Sequence, residues 1–154
     1  MRAFVQRGLL VLLILAGCVA PGSKFGVASR SLPPPQAGMA RMFVYRTLQH
    51  YETTNFANVQ LNGQGAGSSA NGSVFYRDLP PGQYSITISA TETYPNQFKT
   101  VVLRPGETAF VRIESLSSWS ACTRLTNCYP TFVVRLVDPA RALGEMQSLA
   151  LIAG

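Results

Sequence analysis

From Arg41 to Val137 the chain breaks into short β-rich runs separated by turn residues, and this spacing excludes most fold classes. The runs are Met42–Thr47, Asn58–Leu61, Gln64–Ser68, Ser73–Leu79, Gln83–Ala90, Gln97–Leu103, Thr108–Glu114 and Thr131–Val137, of which Gln64–Ser68 is the weakest. Between them stand Asn62-Gly63, Asn71-Gly72, Pro80-Pro81-Gly82 and Arg104-Pro105-Gly106-Glu107. Asn-Gly is a strong two-residue hairpin signal, because both positions accept positive φ. In Gln83–Ala90 the residues Tyr84, Ile86, Ile88 and Ala90 share one face, and Gln83, Ser85, Thr87 and Ser89 share the other. Turns about every 8–12 residues without helical crossovers predict an all-β fold, an antiparallel sandwich of about seven strands. Its expected core holds Val44, Leu61, Phe75, Leu79, Tyr84, Ile86, Ile88, Val111, Ile113, Val134 and Leu136. A short C-terminal helix follows, capped by Asp138 with Pro139 in its first position, and Ala142, Leu143, Met146, Leu149 and Ala150 recur at helical spacing. This segment is placed to cover an open sheet edge.

The N-terminus has another character. Arg2 and Arg7 precede the apolar run Leu9–Leu15, and small residues Ala16 and Gly17 follow, which is the layout of a secretory signal. The apolar run is far too short for the roughly 20 residues that span a bilayer. Leu15-Ala16-Gly17-Cys18 resembles the bacterial lipoprotein box. That resemblance implies cleavage between Gly17 and Cys18 and diacylglyceryl attachment to the Cys18 thiol. Two acyl chains already anchor a protein stably, where one anchors it marginally. Val19 stands where aspartate would favour retention in an inner membrane, so the expected location is the outer membrane, with the domain facing the periplasm.

Three regions follow from this reading: a signal peptide over 1–17, a lipidated cysteine and flexible linker over 18–39, and a β-sandwich domain over 40–154. The linker expectation rests on composition, since Val19 to Gly38 is rich in Pro, Gly, Ser and Ala around Pro33-Pro34-Pro35. The formal net charge is +6, but the cations Lys99, Arg104, Arg112, Arg124 and Arg135 are scattered. No run marks a nucleic-acid surface or a polybasic membrane patch, so no nucleic-acid partner is expected. The expected partners are the membrane, through the N-terminal lipid, and an envelope protein.

A family resemblance rests on the order of several pieces. Arg41-Met42-Phe43-Val44-Tyr45-Arg46 is followed by Val59-Gln60-Leu61-Asn62-Gly63, then by Asn71-Gly72-Ser73-Val74-Phe75-Tyr76-Arg77-Asp78-Leu79-Pro80-Pro81-Gly82-Gln83-Tyr84, then by Pro105-Gly106-Glu107-Thr108-Ala109-Phe110-Val111-Arg112. The chain resembles a family of small bacterial outer-membrane lipoproteins built on a domain of unknown function, similar in style to PEGA and transthyretin-like sandwiches. The Leu-Pro-Pro-Gly and Pro-Gly-Glu turns are its most specific marks. Gln83 and Tyr84 stand where lysine and histidine are commoner. The resemblance spans about residues 40–137, with 115–129 outside it. It implies a fold and a compartment, and no established activity comes with it.

Chemistry-bearing residues are few. His50 is the only histidine and has no nucleophile elbow or metal helix beside it. Gly63-Gln64-Gly65-Ala66-Gly67-Ser68 superficially resembles a nucleotide-binding loop but lacks the strand-to-helix setting and the lysine. No catalytic residue, metal site or cofactor is expected. Trp119 and Tyr129 flank the cysteine pair and are candidates for partner binding, with a core plug as the rival reading of Trp119. The expected role is binding or scaffolding in the envelope. A small envelope enzyme and a purely structural surface lipoprotein are the alternatives. Cys122 and Cys128 are expected to form a disulfide in an oxidising compartment, against free thiols or zinc, which normally takes four ligands. Such a short ring contributes roughly 2 kcal/mol when unstrained. Alkylation of the non-reduced protein followed by peptide mapping is expected to leave both thiols unlabelled; labelling of both would exclude the bond.

Overall fold

A computed structural model describes residues 22–50, 56–89, 97–115 and 132–154. Two sheets pack face to face, as the strand pattern predicts. One contains β1 (Ala40–Arg46), β4 (Ser73–Leu79), β7 (Thr108–Ser115), β8 (Phe132–Leu136) and β9 (Ala150–Leu151), in the order β8-β7-β1-β4-β9. The other contains β2 (Ala57–Leu61), β3 (Gln64–Ser69), β5 (Gly82–Ile88) and β6 (Phe98–Leu103), in the order β3-β2-β5-β6. Nine described strands thus replace the expected seven or so. The five-stranded sheet is mixed, because β1 runs parallel to β7 and β4 runs parallel to β9. Parallel neighbours need long connections, so local turn signals do not announce them.

Local chemistry builds the elements where the pattern placed them. Asn62 and Gly63 both adopt positive φ, 50° and 78°, and close the β2–β3 hairpin. Gly67, at φ 149°, lies so close to the Phe75 ring that an added Cβ would sit 2.8 Å from it. Gly82, expected in a turn with Pro80-Pro81, is nearly extended at φ 158° and opens β5. Pro80-Pro81 is therefore a direct link between sheets, and the Tyr84 hydroxyl donates to the Pro80 carbonyl at 2.7 Å.

The inner core lies between the sheets. It includes Met42, Val44, Val59, Leu61, Phe75, Ile86, Ile88, Val111, Ile113 and Val134, with Leu79 and Tyr84 packed at its margin. Leu136 is a correction to the expected core. It is 45% exposed, because it ends β8 at the sheet edge and no described element covers it.

A second apolar cluster covers the other face of the five-stranded sheet. It joins Phe43, Tyr45, Val74 and Phe110 to Ala142 and Met146 of helix α2 (Pro139–Met146), with Leu149 and Phe25. Asp138 caps α2 by accepting from the Arg141 N–H at 3.0 Å, and Pro139 is its first residue, as expected. Leu143, at 42%, turns outward, and Ala150 belongs to β9 rather than to the helix. The edge beyond β4 is covered by β9, whereas α2 lies on the face.

The linker reading needs correction from residue 22 onward. Phe25–Ala28 forms a helical turn, α1, continued by a 3-10 turn over Ser29–Ser31. Phe25 is 2% exposed, and its ring meets Phe43 edge-on at 5.3 Å. Its N–H donates to the Leu149 carbonyl at 2.8 Å. A Pro/Gly/Ser-rich context hid one aromatic anchor, whereas Val27 stays exposed. Ile86→Ala is expected to cost about 2–5 kcal/mol and Phe25→Ala about 3–5 kcal/mol, with Thr87→Ala close to neutral, in denaturant unfolding. A neutral Phe25→Ala would restore the free-linker reading.

Candidate functional site

Strands β1 and β7 run side by side and end at the same pole, with Arg46 and Ser115 as their last residues. Strand β8 starts there, and Ser115 lies directly opposite Phe132. Arg46 follows Met42 and Val44 on the inner face of β1 and is 1% exposed. Its guanidinium lies 4.8 Å from the centre of the Phe132 ring, a cation–π contact. Beyond the strand end, the Gln49 N–H donates to Asn71 Oδ1 at 2.8 Å and Asn71 Nδ2 donates back to the Gln49 carbonyl at 2.7 Å. A cleft of about 250 Å³ opens at this pole, lined by Arg46, Thr47, Gln49, Arg112, Glu114 and Ser115, with Ile113.

One wall of the cleft belongs to a charged network that ties α2 to the sheet. The Tyr45 hydroxyl donates to Glu145 Oε2 at 2.7 Å. Arg112 donates to both Glu145 oxygens at 2.8 and 3.0 Å and also pairs with Glu114. Arg135 reaches Glu114 at 3.0 Å, and Arg141 reaches Glu145 at 2.7 Å across one helical turn. Burial raises the Tyr45 phenol, and its hydrogen bond to Glu145 raises it further, so it stays protonated at neutral pH. Burial alone would raise the Glu145 carboxyl. Hydrogen bonds from Arg141, Tyr45 and Arg112 outweigh burial and hold it below its usual 4.5.

A second ion pair stands at the other end of β1. Arg41 grips Asp78 with two bonds, 2.6 and 2.8 Å, and lies 4.3 Å from the centre of the Tyr76 ring. The hydrogen bonds from Arg41 hold the Asp78 carboxyl below its ordinary value against the opposing effect of burial. The carboxylates Asp78, Glu114 and Glu145 are thus each held by arginine. Among the described residues no three His, Cys, Asp or Glu side chains group around a metal position. His50 is exposed. Gly65 and Gly67 lie within β3, not in a strand-to-helix loop.

Residues 36–124, more than half of the chain, match the family described as "Protein of unknown function (DUF2846)". The chain belongs to this family. The DUF2846 match contains β1 to β7, hence the whole four-stranded sheet, and leaves β8, α2 and β9 outside. It also reaches Trp119 and Cys122, so the expectation that residues 115–129 lie wholly outside the family resemblance is corrected. No curated protein matches the chain.

The residues singled out from sequence, Gly17, Cys18, Trp119, Cys122, Cys128 and Tyr129, lie outside the described residues. The structure nevertheless locates where the segment bearing four of them begins and ends: it joins Ser115 to Phe132 at the cleft. Sequence reasoning missed the Tyr45–Arg112–Glu145 network. Only the Arg141/Glu145 spacing hinted at it, because the other members come together from β1 and β7.

Asp78 and Glu145, each held below its ordinary value, make stability depend on pH with a defined sign. A carboxylate whose folded value lies below its unfolded one contributes above the unfolded value and loses that contribution as pH falls through the folded one. Acid titration of the folded protein is therefore expected to reduce the unfolding midpoint below about pH 4.5. Glu145→Gln should start less stable at neutral pH and lose less between about pH 5 and pH 3. An identical slope in the two proteins would remove Glu145 from the acid response.

Proposed function

We propose that this DUF2846 chain is a lipid-anchored envelope lipoprotein whose sandwich presents residues 116–131 to a protein partner. The lipid is carried by Cys18, at the outer membrane, and the domain faces the periplasm. One observation carries the binding role: Ser115 and Phe132 are opposed residues of a single ladder, so the intervening segment leaves and re-enters the fold at one fixed place. Phe132 is 5% exposed beneath Arg46, which anchors the returning chain. Binding residues gather on connections held by a rigid framework, since the framework absorbs the ordering cost. Trp119 supplies an aromatic anchor of the kind that dominates interface energetics, and Tyr129 a second.

The anchoring role draws on the leader and on the docking of Phe25. Among the described residues no helix is long and apolar enough to cross a membrane. With Phe25 seated on the domain, the chain from Cys18 to Phe25 spans at most about 25 Å. The sandwich would then ride close above the lipid headgroups rather than on a long flexible stalk.

In bacterial cells expressing the full chain, Cys18→Ala is expected to block lipid attachment, read by intact mass, and to move the protein out of the membrane fraction. Unmodified Cys18 in the wild-type membrane fraction would overturn the anchor. Trp119→Ala is expected to reduce recovery of crosslinked envelope partners while leaving the unfolding midpoint nearly unchanged. A sharply lowered midpoint would make Trp119 a core residue and remove the binding reading's main support.

A further inference from the structure

We propose that the edge of β6, which has no strand beside it among the described residues, pairs with β6 of a second copy, antiparallel about a two-fold axis at Thr100. The direction of the backbone groups is the first argument. Asn62 N–H donates to the Ser85 carbonyl at 2.9 Å and Ser89 N–H to the Asn58 carbonyl at 2.8 Å. In an antiparallel ladder, bonded and non-bonded pairs alternate, so Ser85, Thr87 and Ser89 turn their backbone groups toward β2. Tyr84 and Ile86 then turn theirs toward β6, where they face Val101 and Lys99. Lys99 and Val101 are consumed by β5. Phe98, Thr100 and Val102 direct their N–H and C=O groups out of the sheet.

Residue pattern is the second argument. The same three residues carry exposed side chains, and Phe98 and Val102 are each 59% exposed. Lys99, the charge on this strand, lies on the opposite face and is partly buried. The remaining edges are less regular templates than β6, whose own safeguard is the single inward-facing Lys99. β3 is glycine-rich and has a register shift against β2, β9 is two residues long, and β8 bears Arg135. β6 runs six residues, Phe98 to Leu103, with four β-branched or aromatic side chains and no proline.

A second copy is the occupant that fits, because the edge is complementary to itself. Centring the axis on Thr100 sets Phe98 opposite Val102 of the other copy at both ends and Thr100 opposite Thr100. All three are outward-bonding positions, as an antiparallel pair requires. Apolar meets apolar, and Lys99 falls opposite Val101 rather than opposite its own copy. The adjoining outer face of the sheet offers Asn58, Gln60, Gln83, Ser85 and Thr87. Two copies of a net cationic chain meet here without cations directly opposite each other. The two four-stranded sheets become one continuous sheet.

Sedimentation equilibrium of the full chain in a density-matched detergent tests this with Thr100→Lys and Thr100→Glu. Wild type is expected to show reversible dimerisation. Each variant alone places like charges directly opposite each other and is expected to weaken it about fivefold. An equimolar mixture of the two is expected to restore association at least to the wild-type level, because only this register sets residue 100 against residue 100. Both substitutions are at an exposed position, and unchanged unfolding midpoints check the fold. A wild-type chain that stays monomeric, variants that dimerise undiminished, or a mixture that restores nothing would each overturn the proposal.

Discussion

The burial of β1 on both faces governs how the other elements are arranged. All seven of its residues are buried, from Ala40 to Arg46. Met42 and Val44 meet the four-stranded sheet, while Phe43 and Tyr45 meet the helices and the N-terminal segment. A strand covered on both sides has no solvated face, and this is the usual condition of strands with parallel neighbours. The requirement for a second covering layer explains why Phe25, α2 and Leu149 are recruited to the outside of a fold that two sheets alone would close. Phe43 is the centre of that layer, stacked on Phe110 at 5.6 Å and met edge-on by Phe25. Contacts of this kind contribute about 0.5–1.5 kcal/mol each beyond simple burial.

Charge completes what apolar packing begins. Arg41 and Arg46 stand near opposite ends of the buried strand, and each finds an aromatic face, Tyr76 in one case and Phe132 in the other. Breaking a largely buried pair such as Arg41–Asp78 from one side strands the partner charge, which costs more than the pair itself gains. The Glu145 carboxylate is met by β1 through Tyr45, by β7 through Arg112 and by its own helix through Arg141. These bonds select one seating of α2 among the many that an apolar face alone allows. They also leave both Glu145 oxygens occupied.

Much of the sandwich was legible because its strands announce themselves locally. Ser73–Leu79 was read with its observed bounds, and the Asp138 cap followed by Pro139 marked the helix start. Alternation in Gln83–Ala90 identified Ile86 and Ile88 as core from period alone. What escaped was non-local. The parallel β1–β7 pairing joins residues more than 60 positions apart and has no turn to betray it. Phe25 stands in a composition that reads as linker, and its partners lie in β1 and near the C-terminus. Leu136 shows the converse failure: period 2 assigns a face, but position at the end of an edge strand decides whether that face is covered. The cleft was not foreseen either, since Arg46, Arg112 and Glu114 become neighbours only once β1 and β7 lie side by side.

The joining of Phe25 to Leu149 has a consequence for the order of folding. Phe25 and Leu149 exchange a backbone bond, and β4 receives its edge partner from Ala150–Leu151. A chain delivered N-terminus first therefore exposes the outer faces of Phe43, Tyr45 and Phe110 until Ala142, Met146 and Leu149 have arrived. Folds dominated by such distant contacts nucleate slowly, because loop closure is paid before packing rewards it. Throughout that interval β4 has no neighbour on its outer side, and unpaired strands on waiting intermediates are where misassembly begins. Disrupting Leu149, Ala150 and Leu151 would thus lengthen the vulnerable period out of proportion to the surface those residues bury.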